Sequence, residues 1–329
     1  MPGRLRLPGS LCLIDWLAVT RKFFPRLLLS TAVYAQAPAS EAARPGARGS
    51  VEGRLTWFDR QGNKVGVVGD PGVYRTLSIS PDGKRVAVER TDPPTQNRDI
   101  WLLDSAGGAS TRFTSDPGWD AFPLWSPDGS RIIFTSNRDG GVFNLYEKPS
   151  SGSGNEKLLY KSTEGKGATS WSPDGKFLIY YSLGQPTHLR LLAADGPADR
   201  MAIPLVDPQY NSITGRFSPN GRWMVYTSNE SGKSEVSVRP FDAATGTAGN
   251  PVIVTNAGGR TPVWSGDGKE IFYITPDGMV MALDVNAGAT FQAGTAKPLF
   301  KAPTGFLFWD VAPDTSGDGV RFLMPVPTT

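Results

Sequence analysis

Short apolar runs alternate with tight polar turns along this chain, and the alternation has a fixed period. Arg131-Ile132-Ile133-Phe134-Thr135 and Lys176-Phe177-Leu178-Ile179-Tyr180 have the length and the aliphatic and aromatic content of strands. The first follows Trp125-Ser126-Pro127-Asp128-Gly129, and the second follows Trp171-Ser172-Pro173-Asp174-Gly175, 46 residues on. Related stretches are Ile79-Ser80-Pro81-Asp82-Gly83, Phe217-Ser218-Pro219-Asn220-Gly221, Trp264-Ser265-Gly266-Asp267-Gly268 and Val311-Ala312-Pro313-Asp314, all spaced by 46 or 47 residues. In each turn Pro presets φ, Asp or Asn suits the next position, and Gly takes the left-handed conformation. The motif is therefore a hairpin turn between two strands, repeated six times. A strand-bearing repeat of this length predicts an all-β fold: a six-bladed β-propeller of four-stranded antiparallel blades.

One full repeat reads as an inner strand over Ala121–Trp125, a second over Arg131–Ser136, a third over Phe143–Lys148 and a fourth over Lys157–Lys161. Its inner strands are apolar on both faces, as expected of sheets packed between neighbours. Trp125, Trp171, Trp264, Phe217, Ile79 and Val311 share one slot and are expected to fill the gaps between blades. The chain enters the repeat out of phase. Arg54-Leu55-Thr56-Trp57-Phe58-Asp59 resembles the third strands Ile100–Asp104 and Val280–Asp284, and Lys64–Val68 reads as a fourth strand. The chain ends on an inner half, Phe306–Ala312 and Val320–Met324. Joining the halves closes the last blade with N-terminal strands and removes an open edge. Thr315–Gly319 lengthens the last turn. The propeller is expected over residues 53–327.

Residues 1–52 fall outside the repeat. A basic stretch, Arg21-Lys22-Phe23-Phe24-Pro25-Arg26, precedes the apolar Leu27–Val33, and Val33-Tyr34-Ala35 has the small residues of a cleavage site. Residues 1–35 read as a secretory signal peptide. The competing reading is a spurious leader. Residues 36–52, rich in Ala, Pro, Gly and Arg, read as a flexible linker. The net charge of +3 is dominated by this region: residues 1–37 carry five basic groups against Asp15, a surplus of four, which leaves −1 for the body. A near-neutral body has no basic footprint for nucleic acid. No apolar run is long enough to span a membrane. The single cysteine is Cys12, so the body forms no disulfide.

The repeat resembles the six-bladed propeller of the Tol-system protein TolB. A nearer resemblance is to propellers attached to bacterial eukaryotic-like Ser/Thr protein kinases, which open with a stretch like Leu55-Thr56-Trp57-Phe58-Asp59-Arg60-Gln61-Gly62 and close with ones like Asp310-Val311-Ala312-Pro313-Asp314 and Arg321-Phe322-Leu323. The kinase signatures are missing here: there is no Gly-x-Gly-x-x-Gly, no Asp-Phe-Gly and no His-Arg-Asp, and the only histidine is His188. The Gly-x-Ser-x-Gly elbow of the peptidases that carry similar propellers is also missing. His188 is expected to be structural, and no Cys/His spacing suggests zinc. The protein is therefore expected to be no enzyme and to hold no cofactor or metal.

Propellers bind ligands at the mouths of the channel that their inner strands line. Counting back from each turn serine gives Arg75, Asp120, Lys166, Asn211 and Arg260, with Asp310 placed on the same rim. Mixed charges converging on one opening suit a peptide, gripped through charge-assisted hydrogen bonds. The expectation is a monomeric, periplasmic or secreted binding propeller that recognises a protein or peptide, such as a cell-envelope protein. Two alternatives are the sensor remnant of a membrane Ser/Thr kinase and a metal-dependent propeller lactonase.

Overall fold

The computed structural model describes residues 52–304, 308–313 and 319–328. The expected signal peptide lies outside these residues, as do all but the last residue of the linker, Phe306 and most of Thr315–Gly319. Among the described residues there is no helix, and every strand pair is antiparallel.

Three four-stranded sheets run from an inner to an outer strand in chain order. The first holds Asp120–Trp125, Arg131–Ser136, Asn144–Pro149 and Lys157–Tyr160, and the second Lys166–Trp171, Phe177–Ser182, Leu189–Ala193 and Ile203–Pro204. The third holds Arg260–Trp264, Glu270–Ile274, Met279–Ala287 and Phe291–Lys301. A fourth sheet starts at Ser212–Phe217 and Trp223–Ser228, and its third strand, Glu235–Asp242, pairs with both Thr247–Ala248 and Val252–Ile253.

Hydrogen bonding gives five sheets among the described residues, where six separate ones are expected. The difference arises at Lys64–Ile79, which runs on for 16 residues instead of ending at Val68. Its Lys64–Val73 half pairs with Glu52–Phe58, and its Val73–Ile79 half pairs with Arg85–Thr91. One seven-stranded sheet results, in the order Asp310–Pro313, Val320–Pro327, Glu52–Phe58, Lys64–Ile79, Arg85–Thr91, Arg98–Asp104, Ser110–Arg112. N-terminal and C-terminal segments do pair, with Trp57 opposite Leu323 and Phe58 opposite Phe322.

Aromatic packing secures that join. Phe322 is fully buried, with ring centroids 5.0 Å from Phe272, 5.4 Å from Phe300 and 5.8 Å from Trp309. Arg60 adds a bidentate pair to Glu270, both contacts at 2.7 Å. The shared aromatic slot also packs as expected: Trp125, Trp171, Phe217 and Trp264 are buried, and the indole N–H of Trp125 donates to the Ser78 carbonyl one repeat back at 3.1 Å.

The turns explain their own composition. Ser80, Ser126, Ser172 and Ser265 each donate Oγ to the Asp two residues on, at 2.5–2.8 Å, and that Asp accepts the backbone N–H two residues further. The Ser126 hydroxyl, first among several donors, pulls the Asp128 carboxyl down to about 2. These carboxylates serve their own turns, each in a different repeat.

Candidate functional site

Five of the inner strands carry a β-bulge, and the sixth, Asp310–Pro313, pairs without one. Register shifts fall between Tyr74 and Leu77, Ala121 and Leu124, Ala168 and Ser170, Ile213 and Arg216, and Arg260 and Val263. A bulge sets two residues against one and re-aims side chains. The repeat puts Thr76, Phe122, Ala168, Thr214 and Thr261 in one slot at these bulges, and Phe308 in the same slot of the last repeat. Three of them hold left-handed backbone: Phe122 at φ 52°, Thr214 at 54° and Thr261 at 50°. Such values are uncommon for any non-glycine residue and more so for a β-branched one.

All of these residues but Thr261 meet around a cavity of about 40 Å³, which Thr169 and Arg216 also line. That is room for a water or two and not for a peptide. The Phe122 ring stands edge-on to Tyr181 at 5.7 Å and to Phe308 at 5.8 Å, so aromatic side chains crowd the channel interior. Any ligand of the channel must therefore sit at a mouth.

The six rim candidates separate in the structure. Asp120 and Lys166 open their strands but are both fully buried. Asp120 accepts from Arg138 Nη2 at 3.1 and 3.2 Å; burial raises its pKa, against the hydroxyls of Ser136 and Thr114 and the charge of Arg138. Lys166 donates Nζ to Asn144 Oδ1 at 2.9 Å and to the Glu164 carbonyl at 2.6 Å, and burial depresses it to about 8. The expectation that all six present their side chains to a ligand is thus corrected for these two, whose polar atoms are turned into the protein. Asn211 is exposed; it accepts the Thr187 N–H at 3.0 Å and exchanges hydrogen bonds with Asn229. Arg260 is partly exposed at the start of its strand. Arg75, one slot with Arg260 in the repeat, lies 3.9 Å from Glu89. Asp310 leaves the group. It sits three positions further along its repeat than Arg260, accepts the Ile79 N–H at 3.1 Å and pairs with Arg216 at 3.0 Å.

Two partners were not anticipated. Arg216 reaches Asp310 from a different sheet, and Glu89 is a buried carboxylate beside the bulge ring. Glu89 accepts the Thr76 hydroxyl at 2.7 Å, and Thr76 in turn accepts the Phe122 N–H at 3.1 Å. Arg98 lies 3.6 Å from Glu89, with its guanidinium 3.9 Å from the centre of the Trp119 ring. Burial pushes the Glu89 carboxyl up, against Thr76 and the two arginines. The repeat did carry a signal: the slot of Glu89 holds Thr135, Tyr181, Thr227 and Ile274 elsewhere, so a carboxylate there is anomalous. Among the described residues no group of three or more His, Cys, Asp or Glu side chains is placed to hold a metal ion. His188 is buried, its Nδ1 3.1 Å from the Pro186 carbonyl and 3.4 Å from the Ser182 hydroxyl.

Inner strands of several sheets converging on one plugged channel define a β-propeller. Residues 60–203 match the family model described as the TolB beta propeller domain. A protein assigned as a TolB from Agrobacterium tumefaciens has a similar structure, with a TM-score of 0.59 at 20% identity over 77% of this chain and 90% of that one. Among sequence relatives, a Bacillus subtilis protein named uncharacterized peptidase YuxL is 25% identical over 50% of this chain. Tricorn protease homolog 1 of Streptomyces coelicolor is 29% identical over 36% of it. The matched stretches span 30% and 10% of those two proteins. These matches overturn the expectation that the protein is no enzyme: its repeat region is shared with proteins named as peptidases. No helix among the described residues is long and apolar enough to cross a membrane.

Proposed function

We propose that this chain is a six-bladed propeller that recognises a peptide segment at the channel mouth where Arg75, Asn211 and Arg260 lie. The blade count is supported by the change of partners at Val73 within Lys64–Ile79: dividing the seven-stranded sheet there leaves four strands in each part. The observation that carries the reading is the aromatic plug of Phe122, Tyr181 and Phe308, which leaves a ligand only the mouth. There the partly exposed Arg260 offers a charged donor to a carboxylate or carbonyl. Peptide is also the ligand class that the names of the peptidase relatives carry. The leader pattern supports a site of action outside the cytoplasm and a cell-envelope partner. Photo-crosslinking from Asn211 in the native host, followed by binding assays on the captured protein, tests the reading. Arg260→Ala is expected to weaken binding about tenfold, on the scale of one charge-assisted hydrogen bond. Unchanged affinity would remove the mouth from consideration.

A second reading rests on the match to YuxL: the propeller admits peptides to a peptidase activity. Cleavage of fluorogenic peptides by protein purified from the native host decides for it, and a silent assay decides against it.

A further inference from the structure

At the far end of Ser212–Phe217 from Asn211, the turn Ser218-Pro219-Asn220-Gly221 departs from its repeat. Asn220 stands where Asp82, Asp128, Asp174 and Asp267 stand elsewhere, and Asn220-Gly221 is the one Asn-Gly pair in the chain. The departure has a partner. Asn220 Oδ1 does what the aspartates do, accepting the Ser218 hydroxyl at 2.8 Å and the Arg222 N–H at 3.0 Å. Its Nδ2 donates to the Ala287 carbonyl of the next sheet at 2.7 Å, and an ionised carboxylate has no proton to do that.

That carbonyl belongs to the tip of a long hairpin. Met279–Ala287 and Phe291–Lys301 run for 9 and 11 residues, where the equivalent Asn144–Pro149 and Lys157–Tyr160 run for 6 and 4. The extra length lays the tip against the neighbouring sheet. There the buried Trp223 donates Nε1 to the Gly288 carbonyl at 3.0 Å, and its ring centroid lies 5.3 Å from that of Phe291. Asn220 itself is exposed, beside a groove of about 420 Å³ that Asn286 and Gly288 also line, so water reaches its amide.

We propose that Asn220 is a site of spontaneous deamidation that the folded turn holds in check, and that its conversion to an acid frees the hairpin tip. Asparagine is thermolabile, and a following glycine has no side chain to obstruct attack. The Gly221 backbone nitrogen bonds to Asn220 Cγ, the Cγ–Nδ2 bond breaks, and Nδ2 leaves as ammonia with the proton of the attacking nitrogen. Water then opens the cyclic imide at either carbonyl, giving aspartate or isoaspartate. In the fold the Gly221 N–H donates to the Ser218 carbonyl at 2.9 Å, and the leaving nitrogen is bonded to Ala287. Both must be released first, which ties the rate to local opening of the turn. The acid formed is ionised at neutral pH and turns an oxygen toward the Ala287 carbonyl, so attraction becomes repulsion. When the product is aspartate the turn itself survives, since four other repeats use that residue there. The site is independent of the channel mouth.

The test incubates the whole protein in buffer and in urea, and peptide mass spectrometry reads amide against acid at residue 220. Conversion is expected to be at least about tenfold slower in buffer. Asn220→Asp keeps the turn, and is expected to speed hydrogen exchange of the Val285–Phe291 amides about tenfold while leaving Asp120–Tyr160 unchanged. Conversion as fast in buffer as in urea overturns the control by the fold. Absence of conversion at residue 220 in urea overturns the site. Unchanged exchange over Val285–Phe291 in Asn220→Asp overturns the release of the tip.

Discussion

The left-handed residues around the channel make a prediction that runs against ordinary strand behaviour. Glycine in a strand is normally worse than alanine by about 0.5–1 kcal/mol, because it has more freedom to lose. Thr214 sits at φ 54°, where an L-residue costs about 1–2 kcal/mol and glycine costs nothing. Thr214→Ala and Thr214→Gly both remove the hydroxyl that contacts Thr227 at 3.1 Å, so that loss cancels in their comparison. What remains is the relief of strain less the entropy of glycine, which favours Thr214→Gly by about 0.7 kcal/mol at central values. Ala168 occupies the same repeat slot without a positive φ. There Ala168→Gly should destabilise by about 0.5–1 kcal/mol. The sign of the alanine-to-glycine change therefore reverses between two positions of one slot. Urea unfolding with matched m-values reads both differences. If glycine is worse than alanine at both sites, the bulge at Thr214 stores no strain.

Two other predictions concern the closing join and the buried carboxylate. Phe322→Ala empties a site between Phe272, Phe300 and Trp309 and should cost about 3–5 kcal/mol in urea unfolding; a loss under about 1.5 kcal/mol would mean the join does not rest on that cluster. Glu89 has its pKa raised by burial, so above its ordinary value of 4.5 the folded state holds the proton more tightly than the unfolded chain. Its contribution to stability then falls as pH rises from about 4.5 to the folded pKa, and Glu89→Gln removes that fall. A stability difference between wild type and Glu89→Gln that stays flat from about pH 4.5 to 8 would refute this account.

The turns made the repeat legible, because Pro, Asp and Gly have local reasons to be where they are and the structure satisfies them locally. The aromatic slot was legible for the same reason: Trp125 sits one residue before its turn, too close for register to drift. The rim was not. Counting back from the turn serine to Asp120 or Lys166 crosses a bulge, and one extra residue inverts the alternation that assigns faces. Asp310 was placed on the rim although it lies two residues before Ala312, where the other five lie five to seven residues before their turn serines. Glu89 and Arg216 escaped because their significance lies in partners from other strands and other sheets. The run-on of Lys64–Ile79 past Val68 was hidden by Gly69-Asp70-Pro71-Gly72, which reads locally as a break.

The antiparallel pairing of Glu52–Phe58 with Val320–Pro327 has a mechanical consequence. Gly53 stands opposite Pro327, and the Thr328 N–H donates to the Glu52 carbonyl at 3.0 Å. Tension between residues 52 and 328 would act on the same end of the pair. It would peel the two strands apart one rung at a time, from Gly53 toward Phe58, instead of shearing all rungs together. The seam between the two terminal segments is thus also a release point under load, and it opens before the four sheets between Asp120 and Lys301 feel the force.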